Sequence, residues 1–188
     1  MPAWDAEVVR SDNYRGFVLT TDQKGAIAET AIAHEAIKLG IEVYKPIGEG
    51  SRCDFIFDVH GELVRVQCKW ACLRGGVIDI PCYSARRSAT GFLKRSYTRD
   101  EIDAYAAYCP DLNRCYFLPI DTFIGRITIR LRLSPARNNQ KRGINWANDY
   151  EFAARLGRRG AVAQLGERVP GRHEVTGSSP VGSIDSAA

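Results

Sequence analysis

A dipeptide, His60-Gly61, separates two runs of residues that have the composition of β-strands. The runs cover 52–59 and 62–70, and both are rich in β-branched or aromatic residues. A two-residue hairpin turn needs positive φ angles, which glycine adopts freely and histidine tolerates better than most residues. We therefore predict an antiparallel hairpin with its turn at this dipeptide. This feature constrains the fold most, because the position of the turn determines which side chains share a face.

The register of this hairpin follows from the turn. The predicted facing pairs are Val59 with Glu62, Asp54 with Gln67, and Arg52 with Lys69. Since side chains two residues apart share a face, Gln67 and Lys69 project together beside Asp54. The opposite face is the predicted core side and carries Cys53, Phe55, Phe57, Val59, Val64, Val66 and Cys68. A slip of one residue would turn one strand's set to the wrong face.

Helix and strand signals surround the hairpin. Thr21-Asp22 and Gly40 predict a first helix over 23–39. Thr98 followed by Glu101 resembles a capping box and predicts a second helix that ends before Pro110. Further predicted strands cover 42–45, 77–82, 115–120 and 127–133, a basic loop follows 82, and a last short helix covers 146–156. This order predicts a mixed α/β sheet with helices packed on its faces.

Composition places the chain among globular proteins. Its 188 residues suit one ordinary domain, and 45% of them are hydrophobic. No apolar run approaches the roughly 20 residues of a membrane span, and the first residues do not resemble a signal peptide, so we expect a cytoplasmic protein. The six cysteines have no CxxC pair, which predicts reduced thiols and argues against a structural zinc site.

The distribution of charge is more informative than the net charge of +4. Two acid-free stretches are basic, 84–99 and 124–142. Their cations are Arg86, Arg87, Lys94, Arg95, Arg99, Arg126, Arg130, Arg132, Arg137, Lys141 and Arg142. Clustered like charges suit a polyanion such as a phosphate backbone, although a solvated basic face is an equally simple interpretation.

The polar face of the hairpin suggests phosphodiester chemistry. Asp54 and Gln67 offer hard oxygen ligands suited to Mg²⁺, which takes one or two protein carboxylates together with water and phosphate oxygens. Lys69 would hold an attacking water or stabilise negative charge on a phosphate. Glu29, midway along the first helix, would add a second carboxylate if that helix packs over the hairpin. The alternative is that these polar side chains are simply solvated.

Three motifs follow one another along the chain: Gly25-x-x-x-Glu29, then Asp54, then Gln67-Cys68-Lys69. This pattern resembles the core signature of the PD-(D/E)XK nuclease superfamily. The closest likeness is to the branch of homing-type endonucleases associated with group I introns, in which glutamine commonly replaces the second acid. Supporting blocks are Tyr97–Asp103, Tyr116–Ile120, Leu133–Gln140 and Trp146–Tyr150. The resemblance spans about residues 20–156, although the usual proline before the acid is absent and Ile47-Gly48 stands there.

The resemblance implies a restriction-endonuclease-like α/β fold with a mixed central sheet flanked by helices. It also implies a Mg²⁺-dependent DNA endonuclease with Asp54, Gln67 and the carbonyl of Cys68 around the metal. Glu29 would be an auxiliary ligand, and Lys69 would position the nucleophilic water. Because glutamine is neutral, metal affinity would rely more on the two carboxylates and on the DNA phosphate.

The implied partner is double-stranded DNA. We assign Arg86, Arg87, Lys94 and Arg95 to phosphate contacts, which position a protein without reading sequence. The remaining predicted DNA-binding residues are Arg99, Arg137, Asn139, Gln140 and Lys141. The segment 138–140 either reads adenine edges or caps a turn, and Trp146 and Tyr150 are expected in the core.

The last part of the chain differs in character. We expect a nuclease domain over 1–157 and a disordered tail over 158–188, where Gly, Arg, Pro and Ser dominate. The peptides 162–168 and 177–180 look like a translated tRNA gene, as in a reading frame that runs into an adjoining tRNA gene. The alternative is a flexible basic tail that assists DNA binding.

Three functions fit these observations. The first is a homing-type endonuclease that cuts a long duplex site, possibly a tRNA gene, as a homo-oligomer, either a dimer or a tetramer. The second is a Holliday-junction-resolving nuclease, which shares the Gly-x-x-x-Glu helix and the acid layout. The third is a catalytically silent DNA-binding protein in which Gln67 marks a decayed site.

Overall fold

The computed structural model describes residues 13–14, 17–48, 50–88, 91–135 and 142–157. The helices are α1 Thr21–Lys38 and α2 Phe152–Leu156. The strands are β1 Asn13–Tyr14, β2 Phe17–Val18, β3 Glu42–Tyr44, β4 Phe55–Val59, β5 Glu62–Trp70, β6 Cys72–Arg74, β7 Val77–Pro81, β8 Tyr83–Ser88, β9 Gly91–Ser96, β10 Ala104–Cys109, β11 Arg114–Pro119 and β12 Thr128–Arg132.

The β4–β5 hairpin has the predicted turn and register. His60 and Gly61 both have positive φ, 58° and 90°, and Val59 pairs with Glu62. The Gly61 N–H donates to Asp58 Oδ1 at 2.7 Å, which closes the turn. Along β4 and β5 buried and half-buried side chains alternate, as expected for strands that pack one face against the core.

Helix α1 packs against one face of the sheet. The Thr20 side chain accepts from the Gln23 N–H, and the Gln23 side chain accepts from the Thr20 N–H, which is a capping box. Ala28, Ile32 and Ala36 are buried at spacings of four residues, the period that places side chains on one helix face. The predicted helix is thus confirmed, with its start two residues earlier.

Five strands form the central sheet in the order β11-β10-β5-β4-β3. The β5–β10 pair is parallel, whereas the other neighbours are antiparallel. A three-stranded sheet has the order β12-β7-β6, and the two-stranded pairs are β8–β9 and β1–β2. The fold is therefore the predicted mixed α/β arrangement.

Two hydrophobic clusters lie in the described part of the chain. The first joins α1 and α2 to the sheet through Ile32, Phe57 and Phe152. The second joins β7 and β12 to β10 and β11, with Tyr105 and Leu131 fully or almost fully buried. Strand β10 contributes to both clusters, which explains why all six of its residues are buried.

The predicted second helix is wrong. The Thr98 N–H does donate to Glu101 Oε2 at 3.1 Å, so the capping contact forms. The chain makes only one turn there and enters β10 at Ala104. The apolar run 104–109 lies in the middle of the sheet, where burial on both faces overrides the local helix signal.

Other boundaries also differ from the predictions. The expected basic loop is the hairpin β8–β9, in which the Ser/Arg-rich segment pairs with Gly91–Ser96. The expected last helix is a 3₁₀ turn, Ala147–Tyr150, followed by α2. Strand β4 begins at Phe55, so Cys53 leaves the expected face and packs against the second cluster.

None of the helices in these segments is long and apolar enough to span a bilayer. All six cysteines are free thiols, and Cys68, Cys82, Cys109 and Cys115 are buried. The predicted tail, 158–188, lies outside the described residues.

Candidate active site

Asp54 lies at the entrance to β4, directly beside β5. Its N–H donates to the Val66 carbonyl at 2.9 Å. Its Oδ2 accepts from the Cys68 N–H at 2.7 Å and from Gln67 Nε2. Oδ1 has no hydrogen-bond donor among the described residues. The structure thus brings Asp54 and Gln67 together, and it leaves one carboxylate oxygen available to a ligand.

The environment of Asp54 disfavours the charged form of its carboxyl. Burial raises the pKa of its carboxyl above the ordinary value, and the charge of Glu29 adds to that increase. The Cys68 N–H, the Lys69 charge and the Gln67 amide lower the same pKa without cancelling the rise. A carboxylate that is held partly buried next to a second acid is a site that a cation would stabilise.

Glu29 faces the hairpin from the middle of α1. Its Oε2 lies 2.8 Å from the ammonium of Lys45, and its side chain is 28% exposed. The Lys45 ammonium also lies 5.9 Å from the centre of the Phe55 ring. Its hydrogen bond to Glu29 raises its pKa, and the charges of Glu29 and Asp54 add to the rise. Helix α1 packs over the apolar face of the hairpin, with Glu29 close enough to Asp54 for their charges to interact. Sequence reasoning missed Lys45, a cation beside these two acids.

Lys69 projects from the same face of β5 as Gln67. Its Nζ donates to the Tyr83 carbonyl at 3.1 Å and to Tyr97 Oη at 3.4 Å. Burial lowers the pKa of this ammonium, although the charge of Asp54 opposes the effect. The lysine is held by the base of the β8–β9 hairpin, in an environment that makes its proton easier to lose than that of a surface lysine.

Arg52 does not pair with Lys69 across a ladder, because the strand starts three residues later. Its Nε lies 2.9 Å from Glu101 Oε1, and its guanidinium lies 4.5 Å from the centre of the Tyr97 ring. The sequence placed Arg52 opposite Lys69, and Tyr97 and Glu101 within one of the supporting blocks, but it did not show that these three side chains contact one another. The Thr98-x-x-Glu101 pattern suggested a helix cap instead.

The predicted DNA-binding residues are only partly described. Lys94 Nζ lies 4.6 Å from the centre of the Tyr83 ring. Arg95 is paired with Glu101 at 2.6 Å, and Arg99 is paired with Asp121. Strand β8 contains Arg86 and Arg87, whose side chains are not described. Arg137, Asn138, Asn139, Gln140 and Lys141 lie outside the described residues. Tyr150 is buried as expected, and Trp146 is half-buried.

The donors present are compatible with a hard divalent cation. Within the segments that the structure describes, no three His, Cys, Asp or Glu side chains form a metal-binding group. The candidate set instead joins Asp54 and Glu29 to the Gln67 amide and the Cys68 carbonyl. Gln67 turns its NH₂ group toward Asp54, which leaves its amide oxygen for another ligand. All four donors are oxygens, as Mg²⁺ and Ca²⁺ require.

Comparisons with known proteins identify the fold and the family. The family model described as PD-(D/E)XK endonuclease matches residues 19–153. The chain is also similar to a solved bacterial homing endonuclease, I-Ssp6803I, with a TM-score of 0.62 and 28% sequence identity. That match covers 78% of this chain and 98% of the other. A search of the curated proteins finds no significant match. The chain belongs to the PD-(D/E)XK endonuclease family, whose members are nucleases that depend on divalent metal ions.

Proposed function

We propose that this nuclease is a Mg²⁺-dependent, homing-type DNA endonuclease that cuts a specific duplex site. The observation that carries the proposal is the grouping of Asp54, Gln67 and Lys69 on one face of the β4–β5 hairpin, with Glu29 of α1 beside it. The similarity to a homing endonuclease supports this choice among nuclease functions.

In this proposal Asp54, the Gln67 amide oxygen and the Cys68 carbonyl hold the metal ion. Glu29 contributes directly or through a water molecule. When bound, the ion would act as a Lewis acid toward the phosphate and would favour ionisation of the attacking water. Because Gln67 is neutral, Asp54 and Glu29 supply the negative charge of the protein ligands.

Lys69 positions the water that attacks phosphorus. A new P–O bond forms from this water while the bridging P–O bond breaks, and the departing oxygen leaves as a hydroxyl after it gains a proton. The contacts with Tyr83 and Tyr97 hold the ammonium in one place. Its lowered pKa makes it suited to proton exchange with the water or the leaving oxygen.

Double-stranded DNA reaches this site across the basic segments. We assign Lys94, Arg95 and Arg99, together with Arg86 and Arg87 of β8, to phosphate contacts. The segment that follows β12, with Arg137, Asn139, Gln140 and Lys141, is assigned to phosphate contacts and base reading. The hairpin β8–β9 is adjacent to the catalytic lysine through the Tyr83 carbonyl, so DNA on this hairpin would lie next to the cleavage site.

The assembly follows from the need to cut two strands. One candidate active site per chain cuts one strand, so we infer a homo-oligomer, a dimer or a tetramer, that acts in the cytoplasm. Light scattering on the purified protein tests the subunit number, and a monomer bound to uncut DNA would contradict the inference.

The target is tested with three DNA substrates in Mg²⁺. They are a duplex carrying an uninterrupted tRNA gene of the kind suggested by 162–168 and 177–180, a duplex of shuffled sequence, and a four-way junction of unrelated sequence. We expect cleavage of the tRNA-gene duplex alone, and its loss in Asp54→Ala. Cleavage of the junction alone would replace homing with junction resolution. Binding of DNA without cleavage would indicate a silent DNA-binding protein.

A further inference from the structure

Arg52 is a cation beside the candidate active site that none of the assigned roles uses. Its Nε and Nη2 lie 2.9 Å and 3.4 Å from the two oxygens of Glu101, so the pair is bidentate. Its guanidinium also lies 4.5 Å from the centre of the Tyr97 ring. A planar ion fixed by a carboxylate at one edge and by an aromatic ring has little remaining freedom.

The opposite edge of the guanidinium is available for another anion. The pair with Glu101 uses the edge formed by Nε and Nη2, and the second edge is formed by Nη1 and Nη2. Ser84 Oγ accepts from Nη1 at 3.4 Å. One N–H on each Nη atom has no acceptor among the described residues. Two such N–H groups are suited to bind the oxygens of a phosphate.

The local charge favours an anionic ligand. Glu101 is shared with Arg95, whose Nη2 lies 2.6 Å from the same Oε1. One carboxylate thus stands between two guanidinium groups and leaves an excess of one positive charge. The Glu101 side chain is only 14% exposed, whereas that of Arg52 is 32% exposed, so the acid is covered and the arginine is accessible.

The guanidinium of Arg52 lies near the catalytic lysine, Lys69. Lys69 Nζ lies 4.8 Å from the centre of the ring over which Arg52 lies. The two cationic groups are therefore at most about 9 Å apart. Arg52 also stands two residues before Asp54 in the chain. A DNA strand held at Asp54 and Lys69 would pass within reach of this guanidinium.

We propose that Arg52 is a further catalytic residue, which binds the DNA phosphate at the cleavage site through its Nη1–Nη2 edge. Glu101 and Tyr97 are positioning residues that hold the guanidinium in place. This inference rests on the proposed nuclease function. Arg52 stabilises the negative charge that develops on phosphorus as the attacking oxygen bonds to it, and it forms and breaks no covalent bond itself.

The test compares Arg52→Ala and Arg52→Lys with the control Arg114→Ala. Arg114, like Arg52, is paired with a carboxylate, that of Glu151, but it is more exposed and lies at the start of β11. Nicking of a supercoiled plasmid that carries the uninterrupted tRNA gene of the proposed target, in Mg²⁺, reports the cleavage rate. Binding of a 30-bp duplex in Ca²⁺, measured over a range of salt concentrations, reports phosphate contacts.

We expect Arg52→Ala to lower the nicking rate at saturating DNA by about 10²-fold or more, as for loss of one transition-state donor. The slope of log affinity against log salt concentration should decrease in magnitude by about 1, as expected when one phosphate contact is lost. Added guanidinium ion at millimolar concentration should restore part of the nicking by Arg52→Ala. Arg52→Lys should keep the salt slope and lose about tenfold in rate, because it lacks the planar fork.

Several outcomes would overturn the inference. It fails if Arg52→Ala nicks at the wild-type rate, or if Arg114→Ala falls equally. It also fails if guanidinium restores nothing in a variant that circular dichroism shows to be folded. If Arg52→Ala does not fold, Arg52→Lys decides, and a wild-type rate for it contradicts the proposal. Absence of nicking by the wild-type protein would instead refute the proposed nuclease function, so the two failures are distinguishable.

Discussion

At the residue scale, the candidate site holds an acid whose ionisation is disfavoured by burial. The pKa of Asp54 is raised mainly by burial and further by Glu29, despite two hydrogen-bond donors on Oδ2. A group of this kind reduces the stability of the metal-free fold, as functional residues often do. Its presence is explained by a ligand that is positive.

The first prediction concerns the stability cost of this carboxylate. An acid with a raised pKa in the folded state contributes stability that is complete below its unfolded pKa and is lost as the pH rises through the folded pKa. Asp54→Asn removes the charge and keeps an acceptor oxygen. It should therefore raise the free energy of unfolding of the metal-free protein at pH 7 by about 1 kcal/mol.

Urea denaturation in EDTA at pH 7 and at about pH 4, close to the unfolded pKa of aspartate, measures this effect. The advantage of Asp54→Asn should shrink at the lower pH. The exposed Glu62→Gln is the control, and it should change stability by less than about 0.5 kcal/mol. Equal or lower stability of Asp54→Asn at pH 7 would show that the carboxylate is not under electrostatic strain.

The second prediction separates the lysine's catalytic role from DNA binding. Lys69→Ala should lower plasmid nicking by about 10²–10⁴-fold, the usual contribution of a positioned proton-transfer group. Affinity for duplex DNA in Ca²⁺ should change by less than threefold, because the half-buried ammonium is engaged by Tyr83 and Tyr97. A parallel loss of cleavage and affinity would make Lys69 a DNA-binding residue rather than a catalytic one.

At the scale of elements, the sequence predicts the β4–β5 hairpin and the start of α1 well, because the signals for both are local. The positive φ values of His60 and Gly61 are encoded in the dipeptide, and the register of β4–β5 follows from them. The cap of α1 is likewise encoded within four residues. The grouping of Asp54 with Gln67 is predictable because it depends only on this hairpin.

The elements that the sequence predicts poorly depend on distant contacts. Strand β10 has a helix cap before it, but its neighbours are β5 and β11 on both sides. The place of Arg52 depends on Tyr97 and Glu101, more than 40 residues away in the chain. Neither partner is identifiable from local pattern, because long-range packing decides the outcome.

The third prediction uses two glycines in different elements. Gly61 has a φ of 90°, which strains any residue with a Cβ, although no atom obstructs the added group. Gly25 lies inside α1, where an added Cβ meets nothing within 4 Å. Gly61→Ala should cost about 1–2 kcal/mol, and Gly25→Ala should stabilise by about 0.5–1 kcal/mol. Thermal unfolding measures both, and shifts of the same sign would contradict the turn geometry.

The fourth prediction concerns the β8–β9 hairpin as a DNA-binding element. Lys94→Ala should weaken duplex binding. It should also reduce the slope of log affinity against log salt concentration by about 1, as expected when one phosphate contact is lost. Salt-dependent anisotropy on a fluorescent duplex measures the slope. The matched control is Lys38→Ala, at the C-terminal end of α1, where the lysine pairs with Glu35. Identical slopes for Lys94→Ala and wild type would place the DNA elsewhere.

At the scale of the whole molecule, the fold brings two layers to one site. Helix α1 supplies Glu29 from one side of the central sheet, and the β4–β5 hairpin supplies Asp54, Gln67 and Lys69. The β8–β9 hairpin begins at the residue whose carbonyl holds Lys69. The arrangement joins a candidate metal site to a basic hairpin, which is the layout that a DNA-cutting enzyme needs.

The central claim is that this site performs metal-dependent cleavage of DNA. It is tested most directly by incubating a supercoiled plasmid that carries the uninterrupted tRNA gene of the proposed target with the wild-type protein and with Asp54→Asn, in Mg²⁺, in EDTA, and in EDTA followed by excess Mg²⁺. We predict nicked or linear DNA only from the wild-type protein with Mg²⁺, with recovery when the metal is restored. Cleavage that persists in EDTA or in Asp54→Asn, or its absence with wild-type protein in Mg²⁺ and Mn²⁺, would contradict the claim.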